Sequence, residues 1–350
     1  MSKQPSRIWR VLLISLALVL VYDLVTRASN SPYMQFRAER STSGFLSTTK
    51  AQMLCNSYDL SIFPNRSHHR KIYDLMLVST ELDWLEIRMN ELNEHIDYFV
   101  IVESGHTFTQ KPKPLHFKEN FKRFAPFKSQ IIYRNLDISS LGSNSTWERE
   151  AFLRNGLFDS VFPNLVGDAE PSLNDVILVS DVDEIPRPST LNVLRNCVFP
   201  ERVTLRSRFF YYSFQWQHVG DEWQHPQATF YQGPEKTIKP ENLRMGHGAM
   251  DLWNASWHCS SCFSTVAEMS KKLESFSHTE YNKPEFREPR EIVRRVRNGL
   301  DLFDRKGELY ERVQSSDYDA PRYVKAHRER FAYMLNRDAE NANFKDYTSE

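Results

Sequence analysis

Two hydrophobic patterns alternate between Tyr73 and Ser180. Four short apolar runs predict strands buried on both faces. They are Asp74-Leu-Met-Leu-Val-Ser79, Asp97-Tyr-Phe-Val-Ile-Val-Glu103, Gln130-Ile-Ile-Tyr-Arg134 and Asp175-Val-Ile-Leu-Val-Ser180. Between them, Glu81 to His95 sets Leu85, Met89 and Leu92 at helical spacing. Trp147 to Phe162 carries Phe152, Leu153 and Leu157 as an apolar stripe. Strands alternating with helices predict an α/β fold, a central and mainly parallel sheet flanked by helices on both faces. After Pro188 a short helix reaches about Asn196. Arg202 to Gln217, rich in aromatic and β-branched residues, reads as one or two strands. Pro289 opens a helix expected from Arg290 to about Phe303.

The ends read differently. Lys3, Arg7 and Arg10 surround the start of an apolar run from Ile8 to about Thr26. That run is expected to be a transmembrane signal anchor over 8–26, with a cytosolic tail over 1–7 and the body lumenal. A cleaved signal peptide is the alternative, but no small-x-small site follows closely. Residues 27–70 are polar and read as a flexible lumenal stem, with order beginning near Cys55. A catalytic domain is expected over 71–335, and 336–350 reads as a polar, frayed tail.

Composition narrows the partners. Lys+Arg and Asp+Glu both number 45, so the balance gives no reason to expect nucleic acid. The four cysteines, Cys55, Cys197, Cys259 and Cys262, suit disulfides in a lumenal protein, with the pairing open. The sequons at Asn65, Asn144 and Asn254 fit the same compartment.

The strongest chemical feature is Ser180-Asp181-Val-Asp183-Glu184-Ile-Pro186, directly after the fourth strand. Ligands of open parallel sheets collect at the carboxyl ends of strands. Carboxylates crowded there repel one another unless a hard divalent cation joins them. Asp181 and Asp183 are therefore the expected metal ligands, and such a metal would also take diphosphate oxygens. An acidic turn capping the next helix is the plain alternative. A phosphatase-type Asp-x-Asp nucleophile is disfavoured by Glu184, which repels a phosphate monoester.

Other groups are candidates for the same site. His258, in Trp257-His-Cys-Ser-Ser-Cys-Phe263, and His278 compete to complete the metal's coordination. Zinc and redox readings of Cys259-x-x-Cys262 lack a second ligand pair and a helical context. Arg154 and Asn155 are expected to face the donor, although Arg154 also sits at pairing distance from Glu150. Glu103, ending the second strand, is placed where a base or ribose would be contacted.

With these residues in view, the chain resembles glycosyltransferase family 17, the β-1,4-mannosyl-glycoprotein 4-β-N-acetylglucosaminyltransferase family. The likeness runs from about Tyr73 to Asp304. It rests on the segments 74–88, Phe99-Val-Ile-Val-Glu-Ser104, Trp147-Glu-Arg-Glu150, Val179 to Pro186 and Trp257 to Phe263. It implies a GT-A-like nucleotide-sugar-binding fold, UDP-GlcNAc as donor, and Mn2+ or Mg2+ at Asp181 and Asp183. It also implies a glycan or glycoprotein acceptor and, with the anchor, a Golgi membrane location.

The implied reaction is an inverting single displacement onto a mannose hydroxyl of an N-glycan. Asp183, Glu184 and Asp251 are the expected catalytic carboxylates. The residue that removes the acceptor proton stays open among Glu222, Asp251 and Glu268. Trp216, Trp223 and Trp253 are candidates for stacking on sugar rings or for core packing. The competing readings are a transferase with another UDP-sugar or acceptor, and a non-catalytic, lectin-like protein of the same fold.

Overall fold

The computed structural model describes residues 44–142, 145–314 and 318–348. The 8–26 segment, its basic flank and the sequon Asn144 lie outside these residues. Among the described residues no helix is long and apolar enough to cross a membrane.

Two compact units are present. The smaller comprises the described part of the expected stem, up to His69, together with Asn196–Val198. That stretch is structured before Cys55: helix α1, Thr48–Asn56, buries Ala51, Leu54 and Cys55. A disulfide joins Cys55 to Cys197. Asn196 Oδ1 accepts the Leu46 N–H at 3.0 Å, and Phe45 stacks on Phe63.

The larger unit carries the sheet. It begins with β1 (Ile72–Leu77), α2 (Leu82–Leu92), β2 (Tyr98–Glu103), β3 (Ile131–Asn135), α3 (Thr146–Asp159) and β4 (Val176–Asp181). Next come β5 (Glu184–Pro186), α4 (Pro188–Asn196), β6 (Val203–Tyr211), β7 (Ser213–His218) and β8 (Gln227–Phe230). The unit closes with α5 (Pro240–Met245), β9 (Met250–Ser260), α6 (Val266–Ser275), α7 (Pro289–Asn298) and β10 (Tyr310–Arg312). The strand order is β10-β7-β6-β8-β4-β1-β2-β3, with β9 pairing β5 and β6.

The four apolar runs are the parallel half, in the order β4-β1-β2-β3. The expectation of a mainly parallel sheet needs correction beyond β4. There β8 pairs antiparallel with both β4 and β6, and β7 with both β6 and β10. In this half β9 alone runs parallel to its neighbour β6, while the other pairings are antiparallel, so the sheet is mixed.

Alternation along the strands divides the two faces. Tyr73, Leu75, Val100, Val102, Ile177 and Val179 share one face and pack with Leu153, Leu157 and Phe158 of α3. Asp74 and Ser180 alternate onto the other face, where Arg88 of α2 is fully buried. Arg88 donates to both Asp74 oxygens at 2.6 and 2.7 Å and to Ser180 Oγ at 2.6 Å. Its remaining nitrogen reaches the carbonyls of Asp181 at 3.2 Å and Glu184 at 2.7 Å. One buried guanidinium thus ties β1 to the turn that follows β4. A buried charge of this kind is tolerated because every nitrogen finds an oxygen.

Two further expectations change. The helix expected to reach Phe303 stops at Asn298, because Gly299 adopts φ 61° and a Cβ there would stand 2.5 Å from the Trp216 ring. The segment after Arg337, expected to fray, is packed. Phe344 is buried in a core with Val266, Met269, Ile292 and Val296. Asp346 accepts the backbone N–H groups of Val266 and Ala267 at the start of α6. Polar composition hid one buried aromatic and one helix cap.

Candidate active site

The acidic turn lies where the parallel half of the sheet ends. β4 stops at Asp181, the chain turns, and β5 starts at Glu184. β5 runs antiparallel to β9 with Glu184 opposite His258 and Ile185 opposite Trp257. This register, set by a three-residue strand, brings the Trp257-His-Cys segment to the aspartates.

The three carboxylates have different surroundings. Asp181 has a side chain 45% exposed, whereas that of Asp183 is 10% exposed. Arg244 of α5 donates from Nη2 to Asp181 Oδ2 at 2.7 Å. Its two terminal nitrogens also grip the Glu184 carboxylate at 2.8 and 3.0 Å. Glu184 further accepts the Asp181 N–H at 2.9 Å and the Trp223 indole N–H at 2.8 Å. Burial alone would raise the Glu184 carboxyl, but Arg244 outweighs it and holds it well below the usual carboxylate range. Glu184, expected among the catalytic carboxylates, is therefore fully engaged as the brace of the turn.

Asp183 faces the β9 side. Burial pushes its carboxyl above the usual value, against the pull of His258 and Lys272. His258 Nδ1 lies 3.7 Å from Asp183 Oδ1, and Lys272 Nζ lies 3.8 Å from Oδ2. His258 is buried, its ring centre 5.0 Å from that of Phe209 and 5.2 Å from that of Trp223 in a three-ring cluster, and its Nδ1 has no hydrogen-bond partner. Nearby His225 is pushed down to about 4 by burial, with Arg244 adding to the effect. The structure brings His258, not His278, to Asp183. The His278 ring bonds Glu280 at 2.8 Å and meets the edge of Trp147.

Among the described residues no three His, Cys, Asp or Glu side chains gather as a ready-made cation set. The Asp183–His258 pair nevertheless fits a divalent cation in its chemistry. The carboxylate oxygen suits Mn2+ or Mg2+ and the imidazole nitrogen suits a first-row transition metal, and the orphaned Nδ1 is the kind of buried group that a ligand satisfies.

The other expected residues are distributed as follows. Arg154 of α3 pairs with Glu150 and Glu241 and stands 3.9 Å from Asp181 Oδ1, so it serves the helix pair and faces the site together. Asn155 accepts the Glu241 N–H at 3.0 Å and so positions α5, which carries Arg244. Glu103 is buried, accepting from the Phe117 N–H at 2.9 Å, the Lys118 N–H at 3.3 Å and the Tyr133 hydroxyl at 3.1 Å. Its oxygens hold a short helical turn rather than standing open to a nucleotide. Asp251 pairs with Arg206 at 3.0 Å, whose guanidinium lies 5.1 Å from the Trp253 ring centre. Glu222 accepts the Asn254 N–H at 2.7 Å. Trp253 is 60% exposed and Trp223 is partly exposed, while Trp216 is core. Cys259 and Cys262 form a disulfide at the end of β9.

Sequence reasoning missed Arg244, Lys272 and the indole bond to Glu184. For Arg244 the only local signal is Pro240-Glu241, which announces a helix but not the direction of its fifth side chain. Lys272 lies on α6, whose Thr265-x-x-Glu268 capping box was readable.

Residues 40–340 match the sequence pattern of glycosyltransferase family 17. The chain belongs to that family. The β-1,4-mannosyl-glycoprotein 4-β-N-acetylglucosaminyltransferase of Homo sapiens is 25% identical over 301 residues, 76% of this chain and 55% of its own length. That of Rattus norvegicus is 25% identical over 300 residues, 76% of this chain and 54% of its own length. The chain thus spans about half the length of the curated relatives it matches. Among solved structures, a mannosyltransferase from Pyrobaculum calidifontis in complex with GDP-Man and Mn2+ aligns with a TM-score of 0.34 and 10% identity. That alignment covers 82% of this chain and 75% of the other.

Proposed function

We propose that this chain is an inverting glycosyltransferase that moves GlcNAc from UDP-GlcNAc to a mannose hydroxyl of a glycoprotein N-glycan. The observation that carries the reading is the Asp181-Val-Asp183 turn at the carboxyl end of β4, with an orphaned imidazole on one side and two guanidinium groups on the other. Membership of the family and the activity for which its human and rat relatives are named support this choice of sugar and acceptor.

In this reading Asp183 and His258 hold a divalent cation, Mn2+ or Mg2+, with Asp181 on its exposed side. When bound, the cation supplies positive charge to the departing diphosphate. Arg154 and Arg244 add fixed positive charge beside it, in a partly buried site where charge acts strongly. The acceptor oxygen forms the new bond to the anomeric carbon from the face opposite the UDP. The bond to the diphosphate oxygen breaks, and its electron pair leaves with UDP. The acceptor proton passes to a carboxylate, for which Glu222 and Asp251 stay the candidates. The exposed Trp253 face suits stacking on a sugar ring.

The proposed location is the Golgi membrane, in type II orientation through the 8–26 segment. Two disulfides among the described residues and the exposed sequon Asn65 support a lumenal body.

The test is a donor and acceptor panel. Purified chain is incubated with UDP-GlcNAc, UDP-Gal or UDP-Glc, Mn2+ and mannose-terminated N-glycans. A mass gain of one HexNAc with UDP-GlcNAc alone is the expected result. A gain with another donor moves the sugar assignment, and glycan binding without any transfer overturns the enzyme reading.

A further inference from the structure

Arg244 is placed unlike the other charged groups of the site. Its guanidinium holds two carboxylates at once, and the two grips differ. The Glu184 grip uses both terminal nitrogens on a carboxylate with no exposure to solvent. The Asp181 grip is a single 2.7 Å bond from Nη2 to a side chain that is half in water. The sealed grip anchors the residue, and the open one is free to exchange. Glu184 is itself fixed by the Trp223 indole and the Asp181 N–H, so the anchor does not depend on Asp181's side chain.

Charge shows what that exchange would accomplish. With Arg244 on Asp181 and Arg154 3.9 Å from it, a divalent cation approaching alone meets two guanidinium groups and an occupied carboxylate oxygen. A nucleoside diphosphate approaching alone meets Asp181 and Asp183. Together the two ligands neutralise each other's obstacle. We propose that Arg244 couples the two binding events: it holds Asp181 in the free protein, yields it to an incoming divalent cation, and turns the freed N–H to the diphosphate. The inference rests on the donor-site reading above and adds to it a coupling role for Arg244. Such coupling is reciprocal, since whatever factor UDP adds to cation affinity the cation must add to UDP affinity.

The consequence runs against the usual result of deleting a site residue. Removing the Arg244 charge should improve the binding of the cation by itself, because Asp181 is released and one repelling charge is gone. It should weaken the binding of UDP in the presence of the cation. Damage to the fold would lower both, so a gain in one separates the proposal from a merely structural role.

The experiment is Mn2+ titration followed by the electron paramagnetic resonance of the free ion, with and without UDP. It is run on wild-type protein, on Arg244→Met, and on the double variant Arg244→Met with Glu184→Gln. The double variant leaves no unpaired buried carboxylate if the single one folds poorly. The proposal expects Mn2+ alone to bind about tenfold more tightly to a folded variant, and the UDP-linked gain to shrink about tenfold. Unchanged or weaker Mn2+ binding by the folded variants, with wild-type coupling to UDP, overturns the proposal and leaves the donor-site reading standing. Wild-type protein that takes up neither Mn2+ nor UDP overturns the donor-site reading, and this inference with it.

Discussion

Trp223 donates its indole N–H to Glu184 Oε1 across 2.8 Å while its ring stacks on His258 at 5.2 Å between centres. One side chain from the loop after β7 therefore touches both strands that build the site, fixing the buried carboxylate of β5 and the imidazole of β9.

Replacing Trp223 with Phe keeps a stacking ring and deletes the donor. A hydrogen bond to a charged group contributes about 1.5–3 kcal/mol. Expressed through the barrier, the lower end corresponds to roughly a tenfold fall in kcat/KM. Steady-state kinetics of Trp223→Phe should show that loss while the circular dichroism spectrum is retained. An unchanged kcat/KM would mean that the Glu184 carboxylate needs no help from the indole.

Glu268 was one of three candidate proton acceptors, and the structure gives it another occupation. Its Oε2 accepts from the Thr265 N–H at 3.0 Å, the Thr265 hydroxyl at 2.8 Å and the Ser264 N–H at 3.1 Å, the return half of the capping box of α6. Glu268→Ala is expected to cost about 1 kcal/mol of stability and to leave turnover within about twofold. A loss of about a hundredfold or more in kcat, the scale of general-base removal, would restore Glu268 as the base.

Asp319 supports the outer side of β5 and β9. It accepts from Arg187 and Trp257 at 2.9 Å and from Arg208 at 3.0 Å. Burial pushes its carboxyl up, but these donors outweigh burial and hold it at about 2, below its ordinary 3.8. A carboxyl depressed on folding contributes stability that is present above the unfolded value and lost as pH falls through the folded one. The window is thus from about pH 4 down to about pH 2. With partial exposure discounted, the contribution is on the order of 1–2 kcal/mol. Urea denaturation of Asp319→Asn should show a deficit of that size at pH 7 that closes as pH falls to about 2. A deficit that stays constant with pH would show that the Asp319 charge plays no part.

What the sequence revealed, and what it withheld, follows from how local each signal is. Three of the four parallel strands were readable because β1, β2 and β4 are buried on both faces and so are nearly all apolar, whereas the edge strand β3 is only half-buried and showed itself by its Ile131-Ile-Tyr133 run. α2 and α3 were readable because Leu85, Met89 and Leu92 in the one and Leu153 and Leu157 in the other fall at helical spacing, although α2 is buried almost all round and Phe152 of the expected α3 stripe is exposed. The antiparallel half was obscure for the opposite reason. β8 has only four residues, Gln227 among them, and β5 only three, so neither presents a period. β9 places Asp251, Trp253 and Asn254 in one strand, and its two partners lie far away in sequence. The acidic turn announced itself because three carboxylates in four residues require an explanation. Its countercharge did not, because Arg244 comes from a six-residue helix 60 positions later. Glu103 misled in the usual way of strand-end carboxylates: its position suggested a ligand, and its oxygens went to backbone N–H groups nearby.

The most direct test of the account is UDP release from UDP-GlcNAc in the presence of a mannose-terminated N-glycan, with Mn2+ added or chelated, for wild-type protein and Asp183→Asn. The account predicts metal-dependent release by the wild type and a loss of at least about a hundredfold in the variant, with both proteins folded. Equal release by the two proteins, or release indifferent to Mn2+, would contradict it.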